Sequence, residues 1–462
     1  MKALFYTRHN LTPWVRFVSE NLSATDETLI ISELRNEDVY SLSDDFYQYI
    51  NQPDISKYAV EYFGEDQCEN IIKRCRLLRN IDTNQSLKMI GAMTRSLQDV
   101  LSDFNPDVFI ALRIDSYVLD IMDRLLKERQ IPYLGLWKAA LVKDMFFVTI
   151  RGEHFQMRDP NSEEVNELIS NLTKQDFKAT SISGKYKYNL SSFLKKKIYY
   201  SLRDTLLNFQ RFIHKDYYGY RYLTTGKNVK EYNLKITNWL VNDLIDYSWE
   251  EKFNQTAEEK RIFIGLQVNP ESTIDYYVEN LDLINYQDVL VRMIDSLSKK
   301  GFKVFIKDHP NMFAMRQSDF IKEITKYESV VLIPYDVPST HLIYHSQATF
   351  TWTGTIGLQA AMLDKCAVVV DPPYYLEDHF IKIASLDDIE NLPQQISNYE
   401  RHADINERRR RLADYVLSTY LPGRMELLDF NPESEKISPE SEQFLDSLNR
   451  IIIGIQEEKM KQ

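Results

Sequence analysis

Short apolar runs rich in Val, Ile, Phe and Leu recur along this chain, and stretches with helical periodicity alternate with many of them. They fall into two series. The first takes in residues 2–7, 28–34, 107–112 and 133–137. The second takes in 262–268, 303–309, 330–334, 348–352 and 366–370. Runs of this length and composition read as buried strands. Strands alternating with helices build a parallel sheet covered on both faces. In the first series a helical region over about 55–102 and a helix over 117–128 separate the strands, and 146–151 (FFVTIR) adds an edge element. In the second, helices fall at 281–299, near Phe320 and around Leu342. Between the series, from about 161 to 259, the strand signal fades. There Leu194, Ile198, Leu202, Leu206, Phe209 and Ile213 recur at helical spacing.

This pattern predicts an α/β chain with two Rossmann-like doubly wound halves facing a cleft and a helical insertion between them. The expected boundaries are 1–160, 161–255 and 256–415. A tail over 416–462 carries an amphipathic helix expected to pack back on the first half. In open sheets of this kind ligands bind where the strands end.

Composition narrows the function. The chain has 462 residues with 44% hydrophobic and 27% charged, enough for sizeable cores. Its net charge of −12 argues against a general nucleic-acid binder. The three cysteines form no C-x-x-C pair, which fits a reducing compartment and argues against a zinc site. The N-terminus lacks an apolar h-region and no apolar run reaches membrane-span length, so a cytoplasmic protein is expected. Within this acidic chain, Lys195, Lys196, Lys197, Arg203, Arg211, Lys215 and Arg221 make 191–221 basic. That segment reads either as a solvated helix face or as a peripheral contact with an anionic lipid head or polysaccharide.

Only 13 glycines occur, and two of them, Gly354 and Gly357, lie in the stretch TFTWTGTIGLQAAMLDKCAVVVDPPYY at 349–375. A strand at 348–352 precedes a helix at 356–363, so Thr353, Gly354 and Thr355 form a strand-to-helix turn. A helix N-terminus offers free N–H groups and partial positive charge, and glycine lets backbone approach an anion. A tight turn with an ordinary threonine cap is the plainer alternative. Two more polar loops follow predicted strands. LQVNPESTIDYY presents Gln267, Glu271, Ser272 and Thr273. IKDHPNM presents Lys307, Asp308 and His309, with Pro310 stopping further pairing. Three such loops at successive strand ends converge on one spot.

Together LQVNPESTIDYY, FIKDHPNMFAMR and TWTGTIGLQAAMLDKCAVVV resemble the capsule-polysaccharide-biosynthesis glycosyltransferases, a group that includes bacterial enzymes transferring Kdo from a CMP-activated donor. That family's pattern has a Q-x-x-P-E-[AS]-[ST] loop, a K-[ED]-H-P loop and a T-G-T-x-G-x-[EQ]-A-x-x-x-x-K-x-x-[VI] loop in this order. The resemblance covers about 261–375, with a weaker echo in VTIRGEHFQMRDPN at 148–161. Gln359 stands where the pattern usually has Glu, and Asp364-Lys365-Cys366 replaces a Gly-Lys-Pro turn.

The resemblance implies a GT-B architecture with nucleotide in the C-terminal half and acceptor mainly on the N-terminal one. It implies transfer of a sugar from a nucleotide-sugar donor, with a CMP-ulosonic acid such as CMP-Kdo favoured, to a glycan or lipid-linked glycan acceptor at the inner membrane face. Beyond the donor no cofactor is expected, and no metal, since no D-x-D closes a predicted strand. His309, Thr353, Gly354 and Thr355 are assigned to the phosphate and Lys307 to nearby charge. Gln267 and Glu271 are placed to touch nucleotide or sugar, with Ser272, Thr273, Asp308, Gly357 and Gln359 completing the donor site. Candidates for the base or polarising group are Glu271, Asp115, Glu153 and His9. The competing readings are a polyol-phosphate transferase, a nucleotide-sugar epimerase, and a non-catalytic scaffold of a polysaccharide assembly complex.

Overall fold

A computed structural model describes residues 1–35, 39–175, 177, 187–370, 380–431 and 438–461, the side chains of His9 and of 459–461 apart. The chain divides into two compact units, one comprising Met1–Arg158, Leu207–Thr224 and Thr419–Gln462, the other Asp159–Leu206 and Thr225–Ser418.

In the first unit lie β1 (Lys2–Thr7), β2 (Glu27–Ser32), β3 (Tyr40–Ser41), β4 (Val108–Leu112), β5 (Tyr133–Lys138) and β6 (Met145–Val148). They pair in the order β3-β2-β1-β4-β5-β6, parallel up to β5, with β6 antiparallel to it. In β1 five consecutive residues are buried, as a central strand covered on both faces requires. The long helix Thr83–Phe104 starts where the Asp82 carboxylate accepts from the Gln85 amide at 3.0 Å.

The second unit holds β7 (Arg261–Gly265), β8 (Lys303–Lys307), β9 (Val330–Ile333), β10 (Ala348–Thr351), β11 (Cys366–Val369) and β12 (Ile381–Lys382). All six run parallel in the order β9-β8-β7-β10-β11-β12. Counted within each unit, both sheets follow the 3-2-1-4-5-6 order of a Rossmann-like fold.

A last strand, β13 (Leu421–Pro422), returns to the first sheet and pairs antiparallel with β6. The helix Pro439–Lys461 then lays Phe444, Leu448 and Ile452 into the core beside Trp14 and Phe146. Gly423 permits this: its φ is +129°, and a Cβ there would meet the Phe444 backbone at 2.3 Å.

Several expectations are corrected. The helical stretch 161–255 is no separate body: most of it belongs to the second unit, and Leu207–Thr224 to the first. The element at 146–151 ends at Val148 and is not an edge, because β13 covers it. The helix expected from residue 281 begins at Tyr286, after a single turn at Leu281–Leu283. Residues 371–375 of the DPPYY run and 432–437 of the polar stretch before the last helix lie outside the described residues.

Candidate functional site

In the second sheet the strand order reverses between β7 and β10, and the crevice beyond their carboxyl ends is the place where such sheets bind ligands. There β7 runs into Gln267 and β10 into Thr353 and Gly354. Gln267 Nε2 donates to Glu271 Oε2 at 2.6 Å and to Thr353 Oγ1 at 3.4 Å, so the first and third loops meet. Arg316 joins the first loop to the second. Its Nη2 donates to the Gln267 carbonyl at 2.7 Å and to Asp308 Oδ1 at 2.6 Å. Tyr286 OH accepts from the Gln267 amide at 2.8 Å. The three polar loops converge.

Asp308 lies inside the protein at the end of β8. It is 3% exposed and its partner Arg316 is 2% exposed. Oδ1 accepts from Arg316 and from the His309 amide, and Oδ2 accepts from Tyr335 OH at 3.2 Å. Both oxygens thus accept bonds inside the protein, an arrangement suited to positioning the loop. Burial opposes the Arg316 charge, but Asp308 together with Tyr286 and Tyr335 raises its pKa and keeps the guanidinium protonated.

His309 caps the short turn Pro310–Met312, with Nδ1 accepting from the Asn311 amide at 3.2 Å. In a neutral ring that leaves the proton on Nε2, which is then a donor. Burial lowers its pKa below the ordinary value, and the adjacent Asp308 only partly offsets this. Lys307 ends β8 with Nζ donating to Ser339 Oγ at 3.1 Å, and burial brings its pKa down to about 8.

Gly354 precedes the helix Thr355–Met362, which has no side-chain cap. Its φ is −79°, so the glycine is not there for a left-handed backbone. It is there for space: a Cβ would stand 2.6 Å from Thr351 Oγ1 and 3.4 Å from Gln267 Oε1. The Gly354 amide donates to Thr351 Oγ1 at 3.3 Å, and the Gly357 amide to the Gly354 carbonyl at 3.1 Å. Gln359, on the same helix, is 3% exposed, and its Nε2 has no hydrogen-bond partner among the described residues. Ser272 and Thr273 are buried within the turn that starts the helix Ser272–Asp275, and Thr273 Oγ1 donates to Glu271 at 3.3 Å.

A hollow of about 530 Å³ in the same unit lies past the end of β9, lined by Trp249, Glu250, Asp336 and His341 among others. None of the three loops' polar residues lines it. The switch point is the better candidate because donors and anion-ready backbone meet there.

Among the base candidates of the first unit, Asp115 follows β4, and both its oxygens accept from Arg8 at 2.6 Å. It anchors Arg8, which also donates to Ser116 Oγ at 2.9 Å. Glu153 closes a turn: its Oε2 accepts from the amides of Ile150 at 3.2 Å and Arg151 at 2.6 Å. His9 begins the short turn His9–Leu11 after β1, and its side chain lies outside the described residues. Within 148–161, Arg151 bridges buried Asp120 at 2.5 Å and Asp123 at 3.0 Å. Three residues went unnoticed in sequence. Arg8 and Arg316 stand in polar loops just after strands, which was a usable signal. Glu33, buried past the end of β2 with its pKa raised by burial, gave none.

Among the described residues no group of three or more His, Cys, Asp or Glu is arranged to hold a metal ion. None of their helices is long and apolar enough to cross a membrane.

The second unit is thus a Rossmann-like unit whose switch point gathers hydrogen-bond donors at a helix N-terminus. Residues 164–378 match the family model described as capsule polysaccharide biosynthesis protein, and that span holds all three loops. The family resemblance carried by those loops holds; the match does not reach the echo at 148–161. No curated protein matches the chain. Among solved structures, UDP-GlcNAc 2-epimerase from Neisseria meningitidis is similar at 14% identity over 99% of this chain and 100% of that one, with a TM-score of 0.24. The Thermosulfurimonas dismutans KpsC β-Kdo 2,4 transferase is similar at 14% identity over 74% of this chain and 87% of that one, with a TM-score of 0.33. A glycosyltransferase from Rickettsia africae is similar at 10% identity over 98% of each chain, with a TM-score of 0.29. At scores this low none of these likenesses bears on the function.

Proposed function

We propose that this protein is a glycosyltransferase of capsule-type polysaccharide synthesis that binds a nucleotide-sugar donor at the β7/β10 switch point. The observation that carries this is the joining of three polar loops by Gln267 and Arg316 in front of the uncapped helix at Thr355. Glycosyl transfer breaks the bond between the anomeric carbon and a phosphate oxygen and forms one to an acceptor oxygen. The acceptor proton leaves to a base, and the phosphate gains negative charge. The Nε2–H of His309, the amides opening the helix and the Lys307 ammonium suit that charge. Glu271, held by Gln267 and Thr273, is the candidate to contact sugar or acceptor hydroxyls. A CMP-linked ulosonic acid is the favoured donor and a glycan, free or lipid-linked, the acceptor.

The test is a panel of CMP-, UDP-, GDP- and CDP-linked donors with and without glycan acceptors. Acceptor-dependent release of CMP from a CMP-linked sugar is the expected result. Release of CMP from a CDP-linked polyol would instead indicate polyol-phosphate transfer, interconversion of a UDP-sugar without acceptor an epimerase, and no nucleotide binding at all a scaffold.

A further inference from the structure

The helix Leu190–Ile213 is amphipathic in the reverse sense from that expected of a solvated helix. Leu194, Ile198, Leu202, Leu206, Phe209 and Phe212 are between 47% and 71% exposed, whereas Phe193 and Leu207 on the opposite side are 1% and 5% exposed. At 100° per residue the six exposed side chains fall within an arc of about 120°. From Leu194 to Phe212 the stripe is about 28 Å long. Lysines expected to reach outward turn inward. Lys196 Nζ donates to the carbonyls of Asn311 at 3.3 Å and Phe313 at 2.9 Å, and Lys197 Nζ to the Leu234 carbonyl at 2.6 Å. Two of the three lysines at 195–197 thus hold the helix in place, and Lys196 pins the loop that carries His309.

We propose that this apolar stripe seats the protein on an anionic bilayer surface, lying in the interface without crossing it. Charge selects the occupant. Residues 187–221 carry eight Lys or Arg against two Asp, and with Lys196 and Lys197 turned inward the remaining six cations still leave a local charge of +4 in a chain of −12. A second copy of the helix would bring like charge against like, whereas an anionic lipid surface is complementary. Tyr199 and Tyr217, 63% and 44% exposed, flank the stripe with rings suited to the headgroup level. Exposed Lys195 can snorkel to the headgroups. Apolar insertion supplies the binding, so salt weakens it without abolishing it.

The test is flotation of the full-length protein with phosphatidylcholine vesicles containing about a third phosphatidylglycerol, and with phosphatidylcholine alone. Wild type is expected to float with the anionic vesicles and much less with the neutral ones. Ile198→Ser, Leu202→Ser and Phe209→Ser together are expected to weaken partitioning at least about tenfold with an unchanged melting temperature. As a second readout, the emission of Leu202→Trp is expected to shift to the blue on adding anionic vesicles. Equal flotation of the triple variant, or no flotation by wild type, overturns the proposal. Failure to float combined with a dimer that the triple variant dissociates would assign the face to a second copy instead.

Discussion

Arg316 and Asp308 form a buried ion pair, Nη2 to Oδ1 at 2.6 Å, and the same Nη2 holds the Gln267 carbonyl at 2.7 Å. One guanidinium thus sets two of the three loops. Removing one member of such a pair leaves an uncompensated buried charge and typically costs about 3–5 kcal/mol. Asp308→Ala is expected to lose stability of that order in urea unfolding and to lose nucleotide binding with it. A fully stable Asp308→Ala that merely binds nucleotide less well would return Asp308 to the role of a direct ligand contact.

His309→Ala is expected to behave differently. Losing the cap to Asn311 costs only about 1 kcal/mol. Losing a preorganised donor to a developing charge costs roughly 10²–10³ in rate. Steady-state turnover of the purified variant should fall at least about tenfold while melting changes little. Its pH behaviour follows from the depressed pKa. The folded protein binds the imidazole proton less readily than the unfolded chain, so stability is full above about pH 6.5 and declines as acid protonates Nδ1 and breaks the cap.

Lys307 gives an alkaline limb. With its pKa down at about 8, the ammonium available to a phosphate is lost as the pH rises past that value. Calorimetric nucleotide affinity should therefore fall between about pH 8 and 10, and Lys307→Met should remove that dependence. Stability moves oppositely: the unfolded chain holds the proton more tightly, so the cost of burying the charge is full below pH 8 and relieved above it. An unchanged pH profile in Lys307→Met would place the titration elsewhere.

Gly354→Ala inserts a Cβ 2.6 Å from Thr351 Oγ1, without backbone strain at φ −79°. Nucleotide affinity is expected to drop at least about tenfold, because the turn must shift by several tenths of an ångström. Melting should stay within a few degrees. Combining it with Thr351→Ala clears the clash and should restore part of the affinity. If the double variant binds no better than the single, contact with Thr351 is not what the glycine avoids.

The strands and the loops that follow them were legible because buried parallel strands are continuous apolar runs, and the polar residues that break each run mark where it ends. The boundaries of 117–128 were read to the residue from helical spacing alone. What failed had no periodic signature. Two-residue strands such as β3, β12 and β13 carry no alternation, and their pairing is decided by tertiary neighbours. For the basic run at 195–197, sequence shows that lysines are present but not which way they turn. Asp115 and Glu153 were plausible bases by position. Only coordinates reveal that Arg8 holds both oxygens of Asp115 and that a pair of backbone amides hold Oε2 of Glu153. Arg316 lay in plain view eight residues after Asp308.

A crystal structure of the full chain soaked with CMP tests the central claim most directly. The account predicts the phosphate within hydrogen-bond distance of His309 Nε2 and of the amides opening the helix Thr355–Met362, beyond the ends of β7 and β10. A nucleotide bound elsewhere, such as in the hollow beside Trp249 and His341, with that switch point empty, would contradict it.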